Sequence, residues 1–269
     1  MLNPYSRPTW GAISREGLGQ WSITLDTCGF FARSPSDLTL LADALAIHDD
    51  TPPLSQPFIL KGAKIGFFKS PYWPNAGPGT QTAWSKAREL LQAHGAAVHD
   101  LQNPAEDFDK ILDWHADVLT GEGRSSFLGH SLLARQRDDP TQVLGDDIRK
   151  HLENRRGVTN AALLAAYDNL ARQRPAWDAL ASQYDLVITP SVVDEAPRGM
   201  ENTGDMNFCS TWTVLHTPVA NLPGFAGEHG LPVGLTAVGA RYQDRRLLRA
   251  VEVVGEIFER EGGWRSGQS

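Results

Sequence analysis

Asp185-Leu186-Val187-Ile188-Thr189-Pro190 is the run that decides the fold. Leu186, Val187 and Ile188 follow one another with no polar residue between them. A strand with one wet face alternates apolar and polar side chains, so an unbroken apolar run reads as a strand covered on both faces. Covering both faces of a sheet takes helices on each side, which is an α/β layer structure.

Working outward, Lys64-Ile65-Gly66-Phe67-Phe68 is a second short apolar run between polar turns and reads as a strand. A helix follows over 79–94, with Ala83, Ala87, Leu90 and Leu91 on one face, and Gly95 stands where a C′ glycine ends a helix. Residues 96–101 read as the next strand. Strand, helix, strand in this order predicts a parallel βαβ unit. Upstream, 1–29 is rich in Pro, Gly, Ser and Thr and reads as loops and short strands. Ser34-Pro35-Ser36-Asp37 then opens a helix, with Ser34 as N-cap, Pro35 at the first helical position and Asp37 matching the dipole. Leu38, Leu41, Ala42 and Leu45 continue it at helical spacing. The pair Asp49-Asp50 reads as a solvated turn.

The middle of the chain, 104–184, reads as a helical insert. Helices are expected over 105–120, 141–154 and 159–182, the last with Leu163, Leu164, Tyr167, Leu170 and Ala171 as its stripe. Asp138-Asp139-Pro140 is expected to break the run, and Arg155-Arg156-Gly157 to connect two helices. Beyond the central strand, 217–222 and 232–238 read as strands around a turn-rich stretch, 223–230. A terminal helix over 244–259 carries Leu247, Leu248, Val251, Val254, Ile257 and Phe258 on its apolar face. No repeat, low-complexity tract or linker interrupts this plan, so the chain reads as one α/β layer structure with a helical insert.

The net charge of −7 argues against nucleic acid, because an acidic chain without basic runs repels a phosphate backbone. No apolar run is long enough to cross a bilayer, and the first residues lack a secretory pattern, so the expectation is a cytoplasmic protein with no membrane partner. Cys28 and Cys209 sit far apart in segments that look buried, which favours free thiols in a reducing compartment.

Catalytic patterns are missing. There is no G-x-S-x-G elbow, no H-E-x-x-H, no paired CxxC, and no phosphate-binding glycine loop. The eight histidines show no ligand spacing, so no metal site is expected. Ser125-Ser126, in G-R-S-S-F, reads as polar punctuation between helices rather than a nucleophile. His216 lies beside an apolar strand and reads first as a half-buried histidine satisfied by backbone, second as a base. Trp212, near a strand end, reads first as core and second as a pocket wall.

Three segments carry a resemblance. Arg7-Pro8-Thr9-Trp10-Gly11-Ala12-Ile13-Ser14-Arg15-Glu16-Gly17 resembles the K-P-T-x-G-x-x-S-x-x-G stretch of the amidase-signature family. T-L-D-T-C-G-F-F-A-R-S-P-S-D-L-T-L-L, from Thr24 to Leu41, resembles its S-x-D-x-x-G-P-x-A-R-[ST]-x-x-D block. G-L-P-V-G-L-T-A-V-G-A-R-Y-Q-D-R-R-L-L-R, from Gly230 to Arg249, is similar to its closing G-L-P-V-G-L-Q-x-x-G block. Departures are Phe30 for proline, Thr236 for glutamine, Thr213 for asparagine and His216 for glycine.

The resemblance implies amide hydrolysis by a lysine, a cis-peptide serine and a nucleophilic serine, with no cofactor. In the family those residues precede the K-P-T-like stretch, and no G-G-S-S-G-G segment occurs in this chain. No catalytic residue is therefore carried over, and Lys61, Lys64 and Lys69 are not promoted to the role. The fold this implies is α/β, the C-terminal portion of the amidase-signature fold, with a mixed sheet flanked by helices and a helical insert over 104–184, as one incomplete domain over 1–269. Phe208, Trp212 and His216 are the substrate-pocket candidates. The expected partners are a small-molecule amide, once an upstream segment completes the site, and either that complementary chain or a second copy covering exposed edges. The alternative is a remnant without activity that serves binding or oligomerisation; a third reading, a hydrolase with a new site such as Ser126 with His216, ranks behind both because of the geometry a triad demands.

Overall fold

The computed structural model describes residues 4–51, 56–129, 131–132 and 144–264. At its centre is β5 (Leu186–Pro190), in which every residue is buried. Leu186 and Ile188 enter one core and Val187 the other. Two buried faces explain why the run is apolar at successive positions.

Among the described residues, seven strands form one sheet in the order β2 (Phe30–Phe31), β1 (Tyr5–Arg7), β6 (Val219–Ala226), β7 (Pro232–Val238), β5, β3 (Lys64–Phe68), β4 (Ala97–Leu101). β3 is parallel to β4 and to β5, while β5–β7, β6–β7, β1–β6 and β1–β2 are antiparallel. The mixed α/β sheet and its parallel βαβ unit are as the sequence predicts.

One face carries α1 (Pro35–Ala44), α2 (Pro78–Ala93) and α7 (Asp244–Glu261). Ser34 caps α1 by accepting the Asp37 N–H at 3.2 Å. Gly95 follows α2 at φ +85°, a left-handed position that costs glycine nothing. The expected apolar stripe of α7 is buried throughout. The other face carries α3 (Ile111–Ser126), α5 (Asn160–Ala181) and α6 (Asn207–Leu215), and α4 (Asp146–Leu152) packs on α3. The described part of the region 104–184 is largely helical, and it closes the second core.

Several expectations need correction. α3 starts at Ile111, after a 3-10 turn at Phe108–Lys110, and runs through Ser126. Ser125 and Ser126 therefore lie in its last turn rather than between helices, and the Ser125 hydroxyl donates back to the Glu122 carbonyl at 2.9 Å. On α5, Leu164 is exposed and Ala171 faces solvent. The buried face is Ala166, Leu170, Gln173, Trp177 and Ala181, because the helix turns to bury Trp177 between Phe68 and Trp212. β6 continues past Leu222 through a bulge at Pro223/Phe225, where a turn was expected. Gly224 permits this at φ +145°, and a Cβ there would lie 2.4 Å from the Phe258 carbonyl oxygen on α7. Asp49 is buried, not solvated. Its carboxylate accepts the Arg245 and Arg246 N–H groups, each at 2.9 Å, and so caps α7 from another segment. The break expected at 138–140 lies outside the described residues.

Candidate functional site

Helix α6 was not expected, and it organises the region of interest. Its sequence, N-F-C-S-T-W-T-V-L, holds Thr, Val and aromatic residues that favour strands, so local propensity hides it. The Asp205 carboxylate accepts the Asn207 N–H at 2.7 Å at the helix start. Phe208 and Trp212, four residues apart, share the inward face and are buried. Phe208 packs edge-on against Tyr72 at 5.2 Å. Trp212 packs against Trp177 at 4.7 Å and Phe68 at 5.9 Å.

His216 ends α6 in a left-handed conformation, φ +63°. Its Nε2 lies 2.7 Å from the Thr24 carbonyl oxygen and its ring stacks on Trp10 at 4.7 Å. Burial, with Arg174, Arg241 and Arg7 nearby, pushes its pKa down to about 3, so the ring is neutral and donates to Thr24. The structure thus places the three pocket candidates along one helix, with the backbone-satisfied reading of His216 realised. Ser126 makes no hydrogen bond to His216.

Two arginines close the carboxyl end of α6. Arg174 Nε donates to the Val214 carbonyl at 2.9 Å, and Arg7 donates to the Thr213 hydroxyl and, at 3.4 Å, to the Thr217 carbonyl. Cations there complement the negative end of the helix dipole. Burial lowers the pKa of both, that of Arg174 to about 10. Arg241 is held separately by Asp178, with Nε–Oδ2 at 2.8 Å and Nη2–Oδ2 at 2.6 Å.

Beside α6 runs a polar row that sequence reasoning missed. Thr189 of β5, Thr236 of β7 and Asn221 of β6 stand opposite one another across three strands. Ser191, just beyond β5, hydrogen-bonds Thr236 Oγ1 at 2.7 Å and Asn221 Oδ1 at 3.1 Å. Gly234 leaves room for this arrangement, since a Cβ there would come within 2.5 Å of Asn221 Oδ1. The Cys209 thiol reaches the Ser191 carbonyl at 3.3 Å. Cys209 is exposed, contrary to expectation, because it points away from the Phe208–Trp212 face, and Cys28 is half-buried. Both thiols are free. Only pairing of distant strands assembles the row; its one trace in the sequence is a single polar residue inside each otherwise apolar strand.

Chemically the row is a set of hydrogen-bonding groups. Neither partner of the Ser191 hydroxyl is a base able to take its proton at neutral pH, so the serine is not activated. Among the described residues no lysine hydrogen-bonds a serine, and no cluster of His, Cys, Asp and Glu has the makings of a metal site.

The comparison with known proteins bears on this geometry. The family model described as Amidase matches residues 6–248. The chain belongs to the amidase family. The chloroplastic/mitochondrial glutamyl-tRNA(Gln) amidotransferase A subunit of Arabidopsis thaliana is 24% identical over 302 residues, covering 94% of this chain and 54% of the relative. A crystal structure of an amidase superposes with a TM-score of 0.77 at 20% identity, covering 97% of this chain and 58% of that one. A 6-aminohexanoate cyclic dimer hydrolase, complexed with substrate, superposes with a TM-score of 0.73 at 19% identity, covering 99% and 62%. The fold is that of amidases, and the chain spans little more than half the length of these relatives. α6, the polar row and Arg7 all lie within the matched region. No described helix is long and apolar enough to cross a membrane.

Proposed function

We propose that this chain forms the substrate-side part of an amidase acting on carbon–nitrogen bonds, and that hydrolysis requires a lysine–serine–serine set supplied from outside its residues. The observation that carries this reading is the state of Ser191. It sits in a polar row across the central strands of an amidase-family fold, yet among the described residues its hydroxyl meets an amide oxygen and another hydroxyl. Walls without an activated nucleophile bind and orient but do not attack. In this reading α6 is one wall, and Phe208, Trp212 and His216 hold it rigid from behind. The substrate is a small amide, no metal or organic cofactor takes part, and the setting is cytoplasmic. The completing element is an upstream amidase segment, carried with this one or on a complementary polypeptide; that the relatives' names make them one component of an amidotransferase is in keeping with a partner chain.

The test has two arms. The purified chain is assayed on simple aryl amides, and turnover is expected to equal buffer alone. It is then joined to, or co-expressed with, an upstream segment that carries a lysine followed by G-G-S-S-G-G, and turnover is expected to appear. Turnover by the chain alone that disappears in Ser126→Ala or Ser191→Ala overturns the proposal, as does an inactive complex with such a partner.

The second reading, a remnant serving oligomerisation, draws on the outer edge of β2. Phe31 there is 74% exposed, and Leu40 on the neighbouring α1 is 65% exposed, across a shallow groove. An unpaired strand edge beside apolar side chains invites association.

A further inference from the structure

The polar row occupies one end of β5. At the other end, about six residues or roughly 20 Å away along an extended strand, lies a separate cavity of about 650 Å³. It opens between the segment leading into β3 and the first turns of α7. Its volume falls in the range of small-molecule sites, about 300–1,000 Å³.

The lining has a defined character. Phe58 and Ile59 form an apolar wall, Phe58 half-buried and Ile59 68% exposed. Among the described lining residues, Lys61, Arg246 and Arg249 are cationic and Asp185 is the carboxylate. That carboxylate is already engaged: Oδ2 accepts the Lys64 N–H at 2.9 Å and Oδ1 faces Arg246 Nη2 at 3.3 Å. Arg249 is oriented by donation to the Gln56 carbonyl at 2.8 Å. The stem of Lys61 runs close past Gly95, where a Cβ would meet its Cγ at 3.1 Å. A cation-rich cavity on a chain of net charge −7 is a local reversal of field that favours an anionic ligand.

We propose that this cavity binds a small organic carboxylate with an apolar body. The charge selects an anion and the Phe58–Ile59 wall selects an apolar companion to it. The choice of carboxylate over phosphate rests on the backbone. Phosphate sites at helix ends use free N–H groups, and at the start of α7 the Arg245 and Arg246 N–H groups are both taken by Asp49. What remains is side-chain recognition, in which the planar guanidinium fork matches a planar carboxylate and the ammonium adds a point charge.

The experiment titrates the whole chain with 4-phenylbutyrate, with its neutral amide 4-phenylbutyramide and with inorganic phosphate, at constant ionic strength, by calorimetry and ligand-observed NMR. The carboxylate is expected to bind saturably, with the amide and phosphate each about tenfold weaker or worse, a difference of about 1.4 kcal/mol. Arg246→Gln and Lys61→Gln are each expected to weaken the carboxylate about tenfold and to leave the amide unchanged. Lys61→Met keeps the stem that passes Gly95 and is expected to behave like Lys61→Gln, which separates charge from packing. Equal affinity for acid and amide, phosphate binding as tightly as the acid, variants without effect, or no saturable binding of the acid up to about 10 mM would each overturn the proposal.

Discussion

His216 and Thr24, 192 positions apart, are joined by a 2.7 Å hydrogen bond from the imidazole Nε2 to the backbone carbonyl. The bond ties the end of α6 to the loop that precedes β2, and Trp10, stacked on the ring, brings in the segment after β1. One neutral side chain thus pins three parts of the amidase fold together.

The protonation of this residue sets a pH dependence. The folded pKa of His216 is about 3 and that of buried His115 about 4, both below the usual histidine value because burial opposes the charge. Between those values and about 6.5 the unfolded chain binds more protons than the folded one, so stability falls as pH falls. Urea unfolding is expected to show a loss of up to about 1.4 kcal/mol per pH unit for each histidine between about pH 6.5 and 4.5. His216→Asn, which tolerates the left-handed backbone, is expected to flatten that slope. An unchanged slope in the variant would show that His216 is not its source.

Glu122 gathers four donors: the Ser22 hydroxyl, the Thr24 N–H at 3.1 Å, the Thr24 hydroxyl at 2.7 Å and the Tyr167 hydroxyl at 2.6 Å. Burial of the carboxylate opposes its charge, yet these hydrogen bonds together outweigh burial and hold its pKa below the usual range. Glu122→Ala is expected to cost about 2–4 kcal/mol by leaving several donors unpaired at once. Chemical denaturation measures this, and limited proteolysis is expected to cut first within 20–27.

Asp49→Ala removes the acceptor of two N–H groups at the start of α7. The expected cost is about 1–2 kcal/mol, with Asp49→Asn milder because the amide oxygen still accepts. A neutral outcome in thermal unfolding would mean that water replaces the cap without loss.

Gly224→Ala is expected to be far more damaging than its size suggests. The new methyl group would overlap the Phe258 carbonyl in a backbone region that L-residues avoid. A loss of about 3 kcal/mol or more is expected, and soluble yield together with the unfolding midpoint would check it.

At the edge of the sheet, Phe31→Glu combined with Leu40→Glu is expected to reduce concentration-dependent association in sedimentation velocity. Association that persists in the double variant would locate the contact elsewhere.

Much of the amidase fold was determined by local sequence. The run 185–190, the Ser34 cap, Gly95 and the α7 stripe each state their structure within a few residues, because burial period, capping and positive φ are properties of short segments. Family membership was likewise legible from the motifs at Arg7–Gly17 and Gly230–Arg249. What only tertiary structure decided was the partner of each polar group. Asp49 looked solvated until α7 came to rest on it, Trp177 rotated α5 so that Leu164 faces out, and α6 formed from strand-favouring residues because Phe208 and Trp212 gain more from a shared buried face than propensity costs them. The Thr189–Thr236–Asn221 row exists only through strand pairing, where residues tens of positions apart are brought opposite one another by hydrogen bonds that no local signal encodes.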